Sequence, residues 1–334
     1  MIRWLRHGWR GVRLIGGALL CAWIGLAAFA WTPGPEAVRW MFAAVVAAAM
    51  FWCGFWRDAC APVLAARGAI VVALIVLALP TPRTDRAWTP DQARQPMVRA
   101  LDRDHLRIAN VRHCRYRSTT DFEVAWEQRR VDLTRLDEGW LALEPFAPGS
   151  PLAHAFLSFG FRNGAGGHDY LAVSVEIRKE VGEHYSPVAG LFRRFELSYV
   201  IGDERDLIGL RVVHRRDEVY LYPLQATPAQ LRELFVDLVR RADDLRTRPE
   251  FYHTIASTCA SNLVDHLDRR WPGVVPRWDL RVLLPGNADA LALERGLIAD
   301  PGPLAACRAR WRVDAAVATA LIADPRFSAA IRRR

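Results

Sequence analysis

The sequence predicts an α+β fold in which mainly antiparallel strands are followed by helices, all carried behind N-terminal transmembrane helices. Three observations predict it: uncharged runs fill the first 80 residues, β-rich runs occupy the middle of the chain, and helical spacing dominates after Thr227. A chain of 334 residues that is 51% hydrophobic and 24% charged is neither a disordered polymer, a collagen-like repeat nor a small disulfide scaffold. The net charge is +9, but residues 1–80 hold seven Arg against Glu36 and Asp58. The basic excess therefore points to membrane flanks rather than to nucleic acid.

Residues 1–80 read as a membrane region of about three transmembrane helices: Leu14–Trp31, Trp40–Trp56, and Gly68–Leu79 extended backwards past Arg67. About 20 apolar residues are needed to cross the hydrocarbon core. Arg3, Arg6, Arg10 and Arg13 precede the first span, and Arg57 and Arg67 flank the link between the second and third. That distribution places the N-terminus in the cytoplasm and everything after residue 80 outside. Ala28-Phe29-Ala30 also resembles a signal-peptide cleavage site, an alternative that leaves the final topology unchanged.

Residues 81–98, polar and Pro-containing, read as a linker, and 99–334 as the exported domain. Arg107–Val111, Cys114–Arg117 and Asp132–Leu143 are expected strands, with Thr120–Gln128 a connection. His154–Phe161 and Tyr170–Ile177 form the clearest hairpin, joined by a Gly- and Asn-rich turn. Phe195–Val200, Leu207–Val213 and Val219–Pro223 read as three more strands. Thr227 caps a helix opened by Pro228 and ending at Arg248-Pro249, a second helix begins near Thr258, and short helices fill the tail.

Cys259 is the leading candidate nucleophile. Ser257 or Thr258 is a good N-cap, which puts the thiol in the first helical turn, where the dipole is expected to lower its pKa below about 8.5. The alternatives are a buried small hydrophobe or half of a disulfide with Cys114 or Cys307. A nucleophilic cysteine needs a base, and His154 shares a strand face with Phe156 and Ser158. If Ser158 pairs with Ala172, Glu176 lies opposite His154 on that face and can orient the ring, with Ser158 and Ser174 lining the cleft floor. His266 is expected at the surface. Arg178 and Arg205 read as solvated or salt-bridged turn residues able to meet a lipid phosphate. No metal-ligand spacing, phosphate loop or dinucleotide fingerprint occurs, so no metal or cofactor is expected.

The succession HAFLSFGF, YLAVSVEIRKE, HYSPVAGLFRRFELSYVIGDERDLIGLR, VYLYPL, RPEFYHTIASTCASNL and LLPGNADALALERGLI resembles the Lnb N-terminal periplasmic domain family, from about Asp85 to the C-terminus. The resemblance implies a permuted papain-like (NlpC-type) domain in the periplasm, which the expected spans would anchor in the bacterial inner membrane. It also implies lipoprotein N-acylation by a Cys–His dyad, whose members fall on Cys259 and His154. The family's cysteine sits in an Asn-Cys-Thr setting, from which Thr258-Cys259-Ala260 departs.

Three functions compete. In a membrane-anchored thiol acyltransferase, Cys259 takes an acyl group from a membrane phospholipid as a thioester, with His154 as base, and passes it to a lipoprotein N-terminus. An envelope cysteine hydrolase, peptidase or amidase, uses the same residues with water as acceptor. A non-catalytic, membrane-tethered scaffold uses neither.

Overall fold

Residues 2–32, 35–55, 81–299 and 302–332 are described by the computed structural model, and they fall into two units. The first comprises Met1–Pro82 with His184–Phe195, the second Arg83–Glu183 with Glu196–Arg334.

The first unit contains α1 (Ile2–Trp31), α2 (Glu36–Phe55) and the short α3 (Pro187–Leu191). Ala27, Ala30 and Phe192 form its apolar contact, and Arg39 donates to the Phe29 carbonyl at 3.0 Å. Among the described residues, no helix is long and apolar enough to cross a membrane, which corrects the expected N-terminal transmembrane helices. The expected span Gly68–Leu79 lies outside the described residues.

The second unit is an α+β domain around one sheet. Its strands are β1 (Met97–Ala100), β2 (His105–Arg112), β5 (Trp126–Asp132), β6 (Leu136–Pro145), β7 (Ala153–Arg162), β8 (His168–Arg178), β9 (Glu196–Gly202) and β10 (Tyr220–Pro223). They run in the order β1-β2-β9-β8-β7-β6-β10, with β5 on β2, while β3 (Arg115–Tyr116) and β4 (Phe122–Glu123) form a separate pair. The β7–β8 hairpin has the register read from its turn, Ser158 opposite Ala172.

Alternation along β7 assigns its two faces to two helical layers. Phe156 packs with Leu207, Val212 and Phe327, in the layer of α4 (Glu204–Gly209), a π-helix (Leu210–Arg215), α10 (Ala315–Leu321) and α11 (Phe327–Ala330). Phe159 on the other face meets Phe235 of α5 (Pro228–Thr247) edge-on at 5.1 Å. The same face lies against α6 (Cys259–Arg270) and, beyond α7 (Leu280–Leu283), α8 (Ala288–Glu294). The last described helix before α10 is α9 (Leu304–Trp311).

Two expectations about this unit change. The stretch expected as a linker is docked: Trp88 is buried, and Gln92 donates to Ile177 O at 2.9 Å and accepts from Lys179 N at 2.6 Å. Leu207–Val213, read as a strand, is helical. Asp203 accepts from Arg205 N and starts α4, and both helical faces are apolar because the layer is enclosed, which erases the periodicity that separates a short helix from a strand.

Candidate functional site

The start of α6 is fixed by reciprocal caps. Thr258 Oγ1 accepts from Ser261 N at 3.1 Å, and Ser261 Oγ accepts from Thr258 N at 2.8 Å. Asn262 Nδ2 adds bonds to Ser257 Oγ and Thr258 O, so the turn presenting Cys259 is held from both sides. His253 closes the preceding loop, its Nδ1 accepting from Ile255 N and Ala256 N. Cys259 therefore occupies the first helical position, as its sequence predicts.

The thiol is buried against β7. Burial pushes its pKa up, while the backbone N–H groups of Ala155, Ala260 and Cys259 itself point at the sulfur and favour the thiolate. The direction is opposite to the lowering expected at a helix N-terminus: desolvation outweighs the backbone N–H groups around the sulfur. Cys259, Cys114 and Cys307 are all free thiols. Cys114 is pushed up to about 12, chiefly by burial.

His154 leaves β7 on the face opposite Ala155, stacked on Phe156 with ring centroids 5.6 Å apart. Its Nε2 lies 2.7 Å from Ser174 Oγ, and Ser174 Oγ donates to Glu176 Oε1 at 3.0 Å. The hydroxyl has one proton and gives it to the carboxylate, so it must accept from Nε2–H. That fixes the imidazole tautomer and leaves the Nδ1 lone pair free. Glu176 lies across from the ring as the register requires, but 4.0 Å away, with Ser174 between. The expected direct carboxylate–imidazole bond is corrected to this relay. Ser174 links the two residues rather than lining a floor, and Ser158 turns to Glu204 at 2.5 Å.

Arg211, on the π-helix, closes the relay. It donates to Glu176 Oε1 at 3.2 Å and to Glu144 Oε2 at 2.5 Å, and Glu144 pairs with His154 across β6. Glu144, His154 and Glu176 thus stand in a row on three neighbouring strands beneath one guanidinium. Burial opposes ionisation of Glu176, yet Arg211 and Arg112 hold its carboxyl well below the usual range. Burial, reinforced by Arg211 and opposed by Glu176, lowers His154 to about 4, so the ring is neutral at physiological pH.

The two halves approach where the hairpin opens. Pairing of β7 with β8 ends at Leu157–Val173, although both strands continue. Beyond that point the Ala155 N–H turns to the sulfur, one residue from His154. Among the described residues the imidazole is hydrogen-bonded to Ser174 and not to the thiol.

Other residues singled out in the sequence lie elsewhere. His266 is buried, with Nε2 2.8 Å from Tyr199 Oη and Nδ1 2.6 Å from Asp237 Oδ2, because the inward side of α6 extends two turns past Cys259. Arg178 is also buried, donating to Gln92 O and Ala93 O and stacked over Trp88, while Arg205 pairs with Asp203. Arg178 is therefore not the solvated turn residue expected, whereas Arg205 is the salt-bridged one. His113, Glu127 and Asp203 gather ligand atoms within 4.8 Å of one another, but Arg129 already bridges the two carboxylates. Sequence reasoning missed Arg211 and Glu144. The first sat in a segment read as a strand; the second fell one residue beyond the expected strand end, although its register with His154 was the available signal.

Residues 122–289, half of the chain, match the family model of the Lnb N-terminal periplasmic domain, and Glu144, His154, Ser174, Glu176, Arg211 and Cys259 all lie within the match. No curated protein and no solved structure matches the chain.

Proposed function

The chain belongs to the Lnb N-terminal periplasmic domain family and is a periplasmic, envelope-associated protein; from that premise we propose that it is a thiol acyltransferase in which Cys259 is the nucleophile and His154 the base. The observation that carries this reading is the Cys259 sulfur seated against the Ala155 N–H, one residue from a neutral imidazole whose free nitrogen is Nδ1. Glu176 acts through Ser174 as a positioning residue.

In this mechanism the resting pair is thiol and neutral imidazole, since burial raises one pKa and lowers the other. Proton transfer from Sγ to Nδ1 then accompanies attack on the ester carbonyl of an envelope lipid. The Ala155 and Ala260 N–H groups are available to the developing oxyanion. Collapse breaks the carbon–oxygen bond, the alcohol leaves with the proton from His154, and the acyl group remains on sulfur. An amine, in our reading a lipoprotein N-terminus, attacks the thioester; its proton passes to His154 and returns to the thiolate.

Incubation with acyl-labelled phospholipid and a diacylated lipopeptide tests the reading. The expected products are N-acyl peptide and an acyl thioester on Cys259, detected by mass spectrometry and absent from Cys259→Ala. Free fatty acid without N-acyl peptide would instead assign hydrolysis, and equal turnover by Cys259→Ala would remove the nucleophile altogether.

A further inference from the structure

An apolar cavity of about 250 Å³ lies between the β6–β7 surface and helices α5, α6 and α8. Ala155 and Ala260 bound it, the two neighbours whose N–H groups reach the Cys259 sulfur. From there the cavity follows one stripe of α6: Ala260, Leu263, Val264 and Leu267 at helical spacing, with Trp271 just past the helix end. At 1.5 Å per residue, Ala260 to Leu267 is about 10 Å, and Trp271 carries the lining about one turn further. Leu231 and Leu234 of α5 face it. Arg281 also borders the cavity, but its guanidinium is taken by Asp279 and Glu294, so it leaves no free cation for an anionic ligand. Such a lining offers water few partners and selects an apolar occupant.

We infer that this cavity holds one fatty acyl chain of the donor, with the acyl carbonyl at Cys259 and the tail running along α6. The inference rests on the acyl-transfer reading above and adds where the donor's acyl chain is seated. The shape favours a chain over a compact ligand, because the cavity lies below the about 300–1,000 Å³ of most small-molecule sites while spanning most of a helix. A volume of about 250 Å³ leaves room for one chain rather than two. Transfer leaves the tail in place: the ester carbon–oxygen bond breaks, the carbon–sulfur bond forms, and the alcohol carries off the thiol proton through His154.

The test separates the seat from the chemistry. Cys259→Ala protein is dialysed against radiolabelled dodecanoate and hexadecanoate, alone and combined with Val264→Phe, which fills the stripe one turn below Ala260. Binding should fall at least tenfold with Val264→Phe, whereas acylation of Cys259 by 4-nitrophenyl acetate in otherwise unaltered Val264→Phe protein should stay within twofold of the parent. Leu263→Ala, which widens the same stripe, should shift preference toward the longer acid and keeps the inference testable if Val264→Phe does not fold. Fatty acid bound equally by all variants, or not at all, overturns the acyl seat even where acetate labels Cys259. Tenfold-sensitive binding without acetate labelling supports the seat and overturns the nucleophile.

Discussion

Ser174 Oγ stands 2.7 Å from His154 Nε2, and because its proton is committed to Glu176, it dictates which imidazole nitrogen is free. A residue without charge thereby sets the basic atom of the candidate site. Replacing Ser174 by Ala removes the acceptor for Nε2–H and frees the tautomer. The expected loss is about tenfold in kcat, equivalent to about 1.4 kcal/mol in the barrier, with KM little changed. Nitrogen NMR of the labelled imidazole should report a change of tautomer; an unchanged tautomer and rate would sink the relay.

Activity should fall only in strong acid. His154 must be neutral to accept a proton, and its pKa is lowered to about 4, so the acidic limb of kcat/KM belongs near pH 4 rather than near the about 6.5 of a free imidazole. A limb at pH 6–7 in the pH–rate profile would contradict this.

Stability should decline over the same range. His154 and His266 both titrate near 4 when folded, below their unfolded value. Their contribution is fully present above about pH 6.5 and is lost as pH falls through 4, because the unfolded chain binds those protons first. Between pH 7 and pH 5 each histidine should cost about 1–2 kcal/mol of unfolding free energy. Urea titrations at the two pH values measure the loss, and His154→Gln should remove about half of it.

Arg211 neutralises two buried carboxylates. Arg211→Met should destabilise the fold by about 3–5 kcal/mol, since Glu144 and Glu176 would be left without this partner. Adding Glu144→Gln and Glu176→Gln should recover part of the loss in chemical denaturation. A single variant as stable as the parent would show that the pair makes no net contribution.

Cys259 should not be a preformed thiolate at neutral pH. Thiolate absorbance near 240 nm is expected to appear only in alkali, where burial no longer prevents ionisation. A signal lost in Cys259→Ala but present at pH 7 would refute a neutral resting pair.

Much of this site was legible in the sequence, for physical reasons that differ by residue. The hairpin register followed from turn length and alternation, which placed Glu176 across from His154. Ser257 and Thr258, the two candidate caps, announced the helix start under Cys259, and Thr258 is the one that caps it. The sign of the thiol's shift was not legible, because desolvation depends on what the tertiary fold lays over the sulfur. Nor was Arg211: its short segment is buried on every side, and a helix without a polar face shows no period. The relay through Ser174 turns on a difference of about one ångström, below what register alone resolves.

The docked stretch ahead of β1 has a mechanical consequence. Thr89 N donates to Lys179 O, Val181 N to Ala87 O, and Trp88 lies over the Arg178 guanidinium, so the chain is fastened just beyond the end of β8. Tension applied to the chain ahead of Arg86 would load the Arg86 pairs with Glu180 and Glu196 and then these bonds. Because Arg178 ends β8, the fastening hands such a pull to the strand carrying Ser174 and Glu176 before it reaches β1, a mechanical coupling between the leading stretch and the two residues that aim the imidazole.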